Sequence, residues 1–497
     1  MTYTLTALDA TFLELEDHSE GALMNVGGVM IFDPPPEGRP TLEQIGAVVR
    51  SRLDSLPRYR QRLSSERPGS WSWPRWTDDD AFAVDNHISH ATLPAPGGEV
   101  ELCDWIAAFS SSRMDRSRPL WELVLLEGLE GGRWAVAHRV HHAFAGGLGP
   151  AGVLELILDG HPILDDPGDL ADAPEATGED GAESNPPSNG AGADPGRRSM
   201  LPRPPDPVLQ VSRAGAHALG SALRATLRPQ ETLSRSRMLV ELIFEDEIQG
   251  APRTSLNVAI GSSRRYAYVS CPLADLQTVG DELGGSIHDA ALAACTAGLR
   301  RLLTERGERL PGGSLRAMVP VNLSDAAETL SLGGRLGALY VELPVAEPVA
   351  QVRHREIVES TRRLKASHAG DAAGTLVDMA ALAPPLVHAS LARLLYGTRL
   401  FNLTITNVLG AAEPRSALGA PLREIHPIVP LAADHAVGIA IASHDDLATF
   451  GISADSASMP DLNVLADGIE EGIEDLLASA TRGRRPRRNH AAPDRIT

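Results

Sequence analysis

The segment from Trp134 to Gly149 constrains the fold of this chain most strongly. Its first part alternates between two sets of residues: Trp134, Val136, His138 and Val140 against Ala135, Ala137 and Arg139. Such alternation predicts a β-strand. Two adjacent histidines, three nearby glycines and then a helical spacing from about Pro150 follow in order. The segment therefore predicts a strand that passes through a histidine pair and a glycine-rich turn into a helix.

The histidine pair has the chemistry of a proton acceptor. The unperturbed pKa of imidazole lies near neutrality, so a histidine can remove a proton from a hydroxyl group. Adjacent residues of a strand face opposite sides. We therefore expect one of His141 and His142 to reach a substrate and the other to hold the turn. With His138 the pair can also be interpreted as a metal cluster, but no set of carboxylate or cysteine ligands accompanies it, and we predict no metal site.

The composition limits the class of protein. A chain of 497 residues is longer than one ordinary hydrophobic core, so we expect two domains. The formal net charge of -20 argues against nucleic-acid binding, although it is compatible with a local basic site. Three widely spaced cysteines form neither a disulfide framework nor a metal pattern, which fits a reducing cytosol. We find no signal-peptide pattern and no apolar run of about 18–20 residues, so we expect any membrane contact to be peripheral.

Hydrophobic patterning divides the chain into four predicted parts: an N-terminal domain over residues 1–163, a linker over 164–245, a C-terminal domain over 246–480 and a tail over 481–497. The segment 165–198 is rich in Asp, Glu, Gly, Pro, Ala and Ser, a composition typical of disorder, and a helix is predicted over 208–227. The tail carries five arginines and no acidic residue between Arg482 and Arg488. It is interpreted either as a solvated tail or as a segment attracted to an anionic membrane.

Strand and helix patterns intermix in both predicted domains. Capping boxes predict helices that follow Thr41, paired with Gln44, and Ser286, paired with Asp289. The segment 121–126 and the histidine-bearing strand are predicted to form a hairpin. In the second half the predicted elements are strands at 315–323, 338–343 and 401–408, three short strands near 423, 437 and 450, helices at 273–283, 287–303, 349–367 and 375–395, and a closing helix from Pro460. The predicted fold class is α/β (α+β).

Several motifs resemble one known family. His141-His142-Ala-Phe-Ala-Gly146-Gly147 is similar to the HHxxxDG motif of coenzyme A-dependent acyltransferases. Pro119-Leu-Trp-Glu122 and its flanking residues resemble the bacterial wax ester synthase/diacylglycerol acyltransferase family in particular. The resemblance extends over nearly the whole chain and includes these segments: the Leu8-Asp9 opening, the hairpin Glu127 to Arg133, Asn257 to Ile260, Arg264-Arg265, Met318 to Val321, Thr406 to Val408, Phe450 to Ile452 and Pro460 to Leu462.

The resemblance implies a fold and a reaction. The fold would be two chloramphenicol acetyltransferase-like domains that form a pseudo-dimer with an active-site channel between them. The second histidine, His142, would be the general base and His141 its structural support. The implied substrate-binding residues are Gly146, Gly147, Asn407, Arg264 and Arg265. The two arginines are interpreted as contacts to the phosphates of coenzyme A or as solvated side chains. The Leu8-Asp9-x-x-Phe12 opening would shape the acceptor pocket, whereas Glu14 and Glu16 are expected to be solvated.

The implied activity is direct transfer from an acyl-coenzyme A to a hydroxyl group, without an acyl-enzyme, since no Gly-x-Ser-x-Gly elbow is present. The acceptor would be diacylglycerol or a long-chain alcohol. Acyl-coenzyme A would be a co-substrate and no cofactor is expected. The implied location is cytoplasmic, at the inner face of the plasma membrane and at lipid droplets.

The sequence departs from the family pattern at four places. Gly146 stands where the motif has aspartate, His288 precedes Asp289 where the family has asparagine, Gly334 replaces an asparagine, and Leu409 and Ala411 replace two prolines. These departures leave an alternative open, in which the protein is a weak or inactive relative that binds acyl chains or lipids. Transfer to a different hydroxyl, as in polyketide-associated acyltransferases that share the histidine motif, is a further alternative.

Overall fold

A computed structural model describes residues 3–34, 38–64, 74–145, 156–159, 251–309, 313–322, 336–366, 400–408 and 414–483. The predicted linker with its helix, the predicted helix at 375–395 and most of the predicted tail lie outside these ranges, as do Gly146, Gly147, Gly334, Leu409 and Ala411.

The described residues contain eight helices of the α type. They are α1 (Ala7–His18), α2 (Leu42–Arg52), α3 (Glu99–Phe109), α4 (His142–Ala145), α5 (Leu273–Leu283), α6 (Ile287–Glu305), α7 (Ala350–Ala366) and α8 (Leu462–Gly483). Capping boxes begin α2 at Thr41 and α6 at Ser286, and both predictions are confirmed. A third capping box, Thr6 with Asp9, begins α1. We did not predict α1 from the sequence.

The strands of the described residues form three sheets. Their bounds are β1 (Tyr3–Thr4), β2 (Asn25–Phe32), β3 (Gln61–Leu63), β4 (Arg75–Asp78), β5 (Ile88–Thr92), β6 (Trp121–Glu127), β7 (Trp134–His141), β8 (Arg264–Pro272), β9 (Leu315–Asn322), β10 (Leu336–Leu343), β11 (Leu403–Val408), β12 (Ser416–Ala417), β13 (Ala420–Ile428), β14 (Val437–His444) and β15 (Leu447–Asp455). One six-stranded sheet has the order β12-β13-β2-β7-β6-β5 and the other β10-β9-β11-β14-β15-β8; β1, β4 and β3 form a small third sheet. The predicted mixed α/β class is confirmed.

The first sheet carries the histidine pair. Its β6 and β7 form the predicted hairpin, with Trp121 opposite Val140, and β2 lies on the other side of β7, with Asn25 opposite His141. All eight residues of β7 are buried. One face of the sheet packs against Leu102 and Ile106 of α3. Because β7 is central and covered, the end of this strand is a firmly held position in the fold.

A strand from the C-terminal half completes the first sheet. β13 pairs with β2, so that Ile425 lies opposite Met30 and Ile428 opposite Gly27. Ion pairs fasten the same contact, since Arg423 reaches Asp33 at 2.6 Å and Glu424 reaches Arg133 at 2.8 Å. The two halves therefore share a sheet. The predicted domain boundaries, the pseudo-dimer and the channel stay predictions.

The second sheet has a separate hydrophobic core. Helices α6 and α8 pack together against it, and their buried residues include Leu299, Leu302, Leu465 and Ile469. The helices approach closely because α6 has glycine at the crossing: a Cβ on Gly298 would lie 2.6 Å from the carbonyl oxygen of Leu465. Among the described residues, no helix has the length and apolar character needed to cross a membrane.

Candidate active site

The histidine pair lies at the junction of β7 and α4. His141 is the last residue of the strand, and its N–H donates to the carbonyl oxygen of Leu120 at 3.1 Å. His142 is the first residue of α4, and its N–H donates to the carbonyl oxygen of Met24 at 2.7 Å. Both backbone amides are therefore held by neighbouring segments. We expected both histidines to be strand residues that face opposite sides. Only His141 belongs to the strand, because α4 begins at His142.

His141 points into the protein. Its side chain has no exposed area, and Nδ1 accepts a hydrogen bond from the N–H of Ala143 at 3.1 Å. The accepting nitrogen cannot carry the proton of a neutral ring, so Nε2 carries it. Nε2 lies 3.4 Å from a carboxylate oxygen of Glu16. Burial lowers the pKa of His141, although Glu16 opposes the effect. His141 is a neutral, buried residue that joins the turn to α1.

Glu16 is the partner that sequence reasoning missed. The expectation of a solvated side chain was wrong for this residue, which is only 1% exposed. Its carboxylate accepts a hydrogen bond from Arg116 at 2.5 Å and one from the N–H of Met24 at 3.3 Å. Burial raises the pKa of Glu16, but the hydrogen bonds of His141 and Arg116 and the charge of Arg116 outweigh burial and lower it to about 2. The carboxylate is therefore charged at neutral pH.

His142 is only partly buried and lies against an aromatic ring. The imidazole stacks on Phe12 of α1, with ring centroids 3.7 Å apart and an interplanar angle of 22°. Burial lowers the pKa of His142 to about 4, and the residue's own backbone opposes the effect. Nδ1 is buried and has no hydrogen-bond partner among the described residues. The ring is therefore neutral at pH 7, which is the state that a base requires.

Aromatic side chains anchor the turn that follows. Phe144 is 1% exposed and meets Tyr59 and Trp76 edge to face, with centroid distances of 5.2 Å and 5.8 Å. Trp121 donates from Nε1 to the carbonyl oxygen of Tyr59 at 2.8 Å. Such pairs stabilise a packed site by about 0.5–1.5 kcal/mol each beyond the area they bury.

The segment Pro119 to Glu122 supports the same strand. Leu120 accepts the hydrogen bond from the N–H of His141, and Glu122 pairs with Arg139 of β7 at 2.8 Å. Arg139 also donates to the carbonyl oxygens of Phe109 and Ser112. Through these contacts the segment around Pro119 stabilises the strand that carries the histidine motif.

Comparisons with known proteins identify the family of the chain. The model of the wax ester synthase/diacylglycerol acyltransferase catalytic domain matches residues 5–291, and that of the family's C-terminal domain matches residues 332–477. The chain belongs to this family. A probable diacylglycerol O-acyltransferase of Mycobacterium tuberculosis is 29% identical over 98% of both chains. A putative diacylglycerol O-acyltransferase of the same organism is 30% identical over 97% of this chain and 92% of the relative.

Solved structures place the fold in the same group. The wax ester synthase/diacylglycerol acyltransferase of Marinobacter aquaeolei VT8 has a TM-score of 0.63 at 25% identity and covers 96% of this chain and 100% of its own. A trichothecene 15-O-acetyltransferase of Fusarium sporotrichioides, with a TM-score of 0.57 at 13% identity, shares the fold. Members of the family are acyltransferases, and the protein is an enzyme of this class.

The other residues predicted for the acyltransferase site lie apart from the histidine pair or outside the described ranges. Gly146 and Gly147 are outside. Asn407 is an exposed residue of β11 in the second sheet, and no contact among the described residues joins it to His142. Its binding role stays a prediction.

The two arginines of β8 have different surroundings. Arg264 is buried, and its guanidinium donates to backbone carbonyls, including that of Gly261 at 2.6 Å. Arg265 is exposed and lines a cleft of about 750 Å³. Four carboxylates line the same cleft: those of Glu99, Asp104, Asp467 and Glu470. The donors of Arg264 are engaged with backbone carbonyls and the surroundings of Arg265 are acidic. A phosphate contact by either arginine stays a prediction.

In the His288-Asp289 segment the structure explains the role of Asp289. Asp289 is 5% exposed; it accepts hydrogen bonds from the N–H of Ser286 at 2.8 Å and from the hydroxyl of Thr361 at 2.7 Å. It therefore caps α6 and joins this helix to α7. Burial lowers the pKa of the neighbouring His288. The pair lies where α6 packs against α7, and among the described residues neither member contacts His142.

Proposed function

We propose that the protein transfers an acyl group from acyl-coenzyme A to the hydroxyl of diacylglycerol, giving triacylglycerol, and to long-chain alcohols, giving wax esters. His142 removes the proton of the acceptor hydroxyl while its oxygen attacks the thioester carbonyl. The carbon–sulfur bond then breaks, and coenzyme A leaves as a thiol with the proton that the imidazole returns. Because Nδ1 is buried, Nε2 is the nitrogen that exchanges the proton.

The observation that carries the proposal is the position and protonation state of the His142 side chain. Its amide is fixed by Met24, its ring is stacked on Phe12 and its pKa is lowered so that the ring is neutral. Positioning and general-base help together account for a large share of the rate in such reactions. The inactive, lipid-binding alternative is not favoured, since the relatives are named as acyltransferases and the base is present in an ordered setting.

The remaining substrate assignments are part of the proposal. Acyl-coenzyme A acts as co-substrate without a cofactor, and Gly146 and Gly147 stay candidates for substrate contacts. Arg265 and Asn407 stay candidates for substrate contacts. A lipid acceptor resides in a membrane or droplet, so the enzyme meets that surface peripherally at the inner face of the plasma membrane. The arginines of the tail supply charge for this attraction, at about 1 kcal/mol each.

The activity is tested by release of free thiol from palmitoyl-coenzyme A. We expect release that depends on added diacylglycerol or hexadecanol, and the ratio of the two rates ranks the acceptors. Thiol release that is the same with and without acceptor, from folded protein, would contradict the transferase. The variant Gly146→Asp restores the family motif, and comparison of its kcat with that of the wild type measures what this departure costs.

The pH dependence follows from the pKa of His142. Since burial lowers this pKa to about 4, the base stays unprotonated down to that pH, and kcat/KM will fall by half near pH 4. The measurement is kcat/KM between pH 3.5 and 8 with brief incubation, accompanied by circular dichroism at each pH. A half-point near 6.5 with the fold intact would show that the ring is solvated in the working enzyme.

A further inference from the structure

Arg264 connects the C-terminal half to the segment that supports the histidine pair. It is the first residue of β8, and its side chain is 8% exposed. One nitrogen of the guanidinium donates to the carbonyl oxygen of Gly21, and another donates to that of Gly261 at 2.6 Å. The N–H of Arg264 donates to the hydroxyl of Ser111 at 3.0 Å. The residue thus holds two segments of the N-terminal half at once.

Gly21 lies in the turn that joins α1 to β2, which we call the support turn (residues 19–24). The support turn ends at Met24, whose carbonyl oxygen accepts the hydrogen bond from His142 and whose N–H donates to Glu16. It also follows directly from α1, which carries Phe12. The support turn therefore supplies the hydrogen bond that fixes the backbone of His142, and it adjoins the helix whose Phe12 stacks on the ring.

The fit between the support turn and the C-terminal half is close. A Cβ on Gly21 would lie 2.2 Å from the carbonyl oxygen of Ile260, so the approach requires glycine. Asp455 fixes the other side, since it accepts the N–H of Gly261 at 2.8 Å and the hydroxyl of Ser458 at 2.6 Å. Burial lowers the pKa of Arg264 to about 10, partly opposed by Asp455, so the side chain stays charged at neutral pH. A charged fork between two fixed carbonyls is a rigid connection.

We propose that Arg264 is a positioning residue: from the C-terminal half it holds the support turn in place, and thereby keeps the ring of His142 stacked on Phe12. This inference rests on the proposed function of His142 as the base. It differs from the phosphate contact expected from the sequence, because the donors of Arg264 meet backbone carbonyls. A misplacement of about 1 Å at a reacting group can lower a rate about 10²-fold.

The test compares Arg264→Gln with Arg353→Gln. Arg353 is a matched control, because it is 3% exposed and donates to the backbone carbonyl of Glu347 at 3.0 Å on the opposite edge of the C-terminal half. We expect Arg264→Gln to lower kcat about 10–100-fold with little change in the KM for palmitoyl-coenzyme A. Arg264→Lys, which keeps the charge but not the fork, should recover part of the loss. Arg353→Gln should lower the melting temperature comparably and leave kcat near that of the wild type.

A second readout does not need turnover. The pKa of His142, measured by NMR on histidine-labelled protein with the resonance assigned from His142→Ala, should rise from about 4 toward its ordinary value in Arg264→Gln and not in Arg353→Gln. Gly21→Ala, whose added Cβ would push the support turn away from the carbonyl oxygen of Ile260, should raise the pKa of His142 as well.

The outcomes separate the two proposals. A raised KM for acyl-coenzyme A with unchanged kcat and unchanged His142 pKa would overturn the positioning role and favour a phosphate contact. If the wild type shows no acceptor-dependent turnover but the His142 pKa still rises in Arg264→Gln, the proposed function fails while the positioning role stands.

Discussion

Replacing His142 with alanine will lower kcat for acyl transfer by about 10²–10⁴-fold, the usual contribution of a general base. The variant removes the imidazole that accepts the hydroxyl proton, whereas the backbone of the turn stays held by Met24 and Leu120. His142→Gln should be equally slow, because an amide fills the space beside Phe12 but cannot take a proton at neutral pH. The measurement is the initial rate of thiol release at saturating palmitoyl-coenzyme A and acceptor, with the KM of each substrate determined separately.

His435→Ala provides the matched control for this experiment. His435 is likewise a histidine stacked on a phenylalanine, with its ring centroid 4.2 Å from that of Phe401, but it is buried and lies in the second half of the chain. Its loss should lower stability by about 1–3 kcal/mol, through the lost packing and hydrogen bonds, and retain most of kcat. If both histidine variants lost activity equally, or if His142→Gln kept the rate of the wild type, His142 would not be the base.

Local patterns in the sequence predicted much of the fold. The period-2 alternation from Trp134 onward is the strand β7, and the capping boxes at Thr41 and Ser286 begin α2 and α6. Helix α1 was not predicted because most of its residues are buried. It therefore lacks the one-sided apolar stripe by which periodicity identifies a helix. Its capping box of Thr6 and Asp9 was the signal that could have revealed it.

The pairing of β13 with β2 had no local signal at all. The two strands are separated by almost the whole chain, and nothing in the residues Ala420–Ile428 distinguishes a partner in the first sheet from one in the second. Sequential strands are more often neighbours, so the default expectation favours the second sheet. Long-range pairing is decided by how both halves pack, which a single sequence does not display.

The candidate site also contains residues that local sequence identified and residues that only long-range packing brings together. The histidine pair and the bracing segment at Pro119 were identifiable because their residues are adjacent in sequence. Glu16 and Phe12 reach the pair from a helix more than a hundred residues earlier, and Arg264 reaches the support turn beside it from the other half. A glutamate followed by Asp17 and His18 is typical of a solvated helix end, and only the folded chain shows that Glu16 is turned inward.

Glu16→Ala will have the largest effect on stability among the residues of the site. The carboxylate is buried and joins His141 to Arg116, so its removal leaves the buried imidazole without its partner and leaves Arg116 only the exposed Asp17 as an ion-pair partner among the described residues. Breaking a buried pair in this way costs about 3–5 kcal/mol. Asp17→Asn is the control, since Asp17 contacts the same arginine at 2.7 Å but is 54% exposed, and an exposed pair contributes about 0–1 kcal/mol. Denaturant unfolding at pH 7 measures both.

The pH dependence of the free energy of unfolding tests whether the charge of Glu16 causes this stabilisation. Folding lowers the pKa of Glu16 from 4.5 to about 2, so the stabilisation is fully present above pH 4.5 and is lost as the pH falls toward 2. The free energy of unfolding of Glu16→Gln should therefore lie below that of the wild type at pH 7, and the difference should shrink as the pH falls below 4.5. A difference that stays constant down to pH 3 would attribute the effect to lost packing instead. Because Glu16 orients His141 and holds Met24, kcat of Glu16→Gln should also fall about tenfold or more, even where the variant is fully folded.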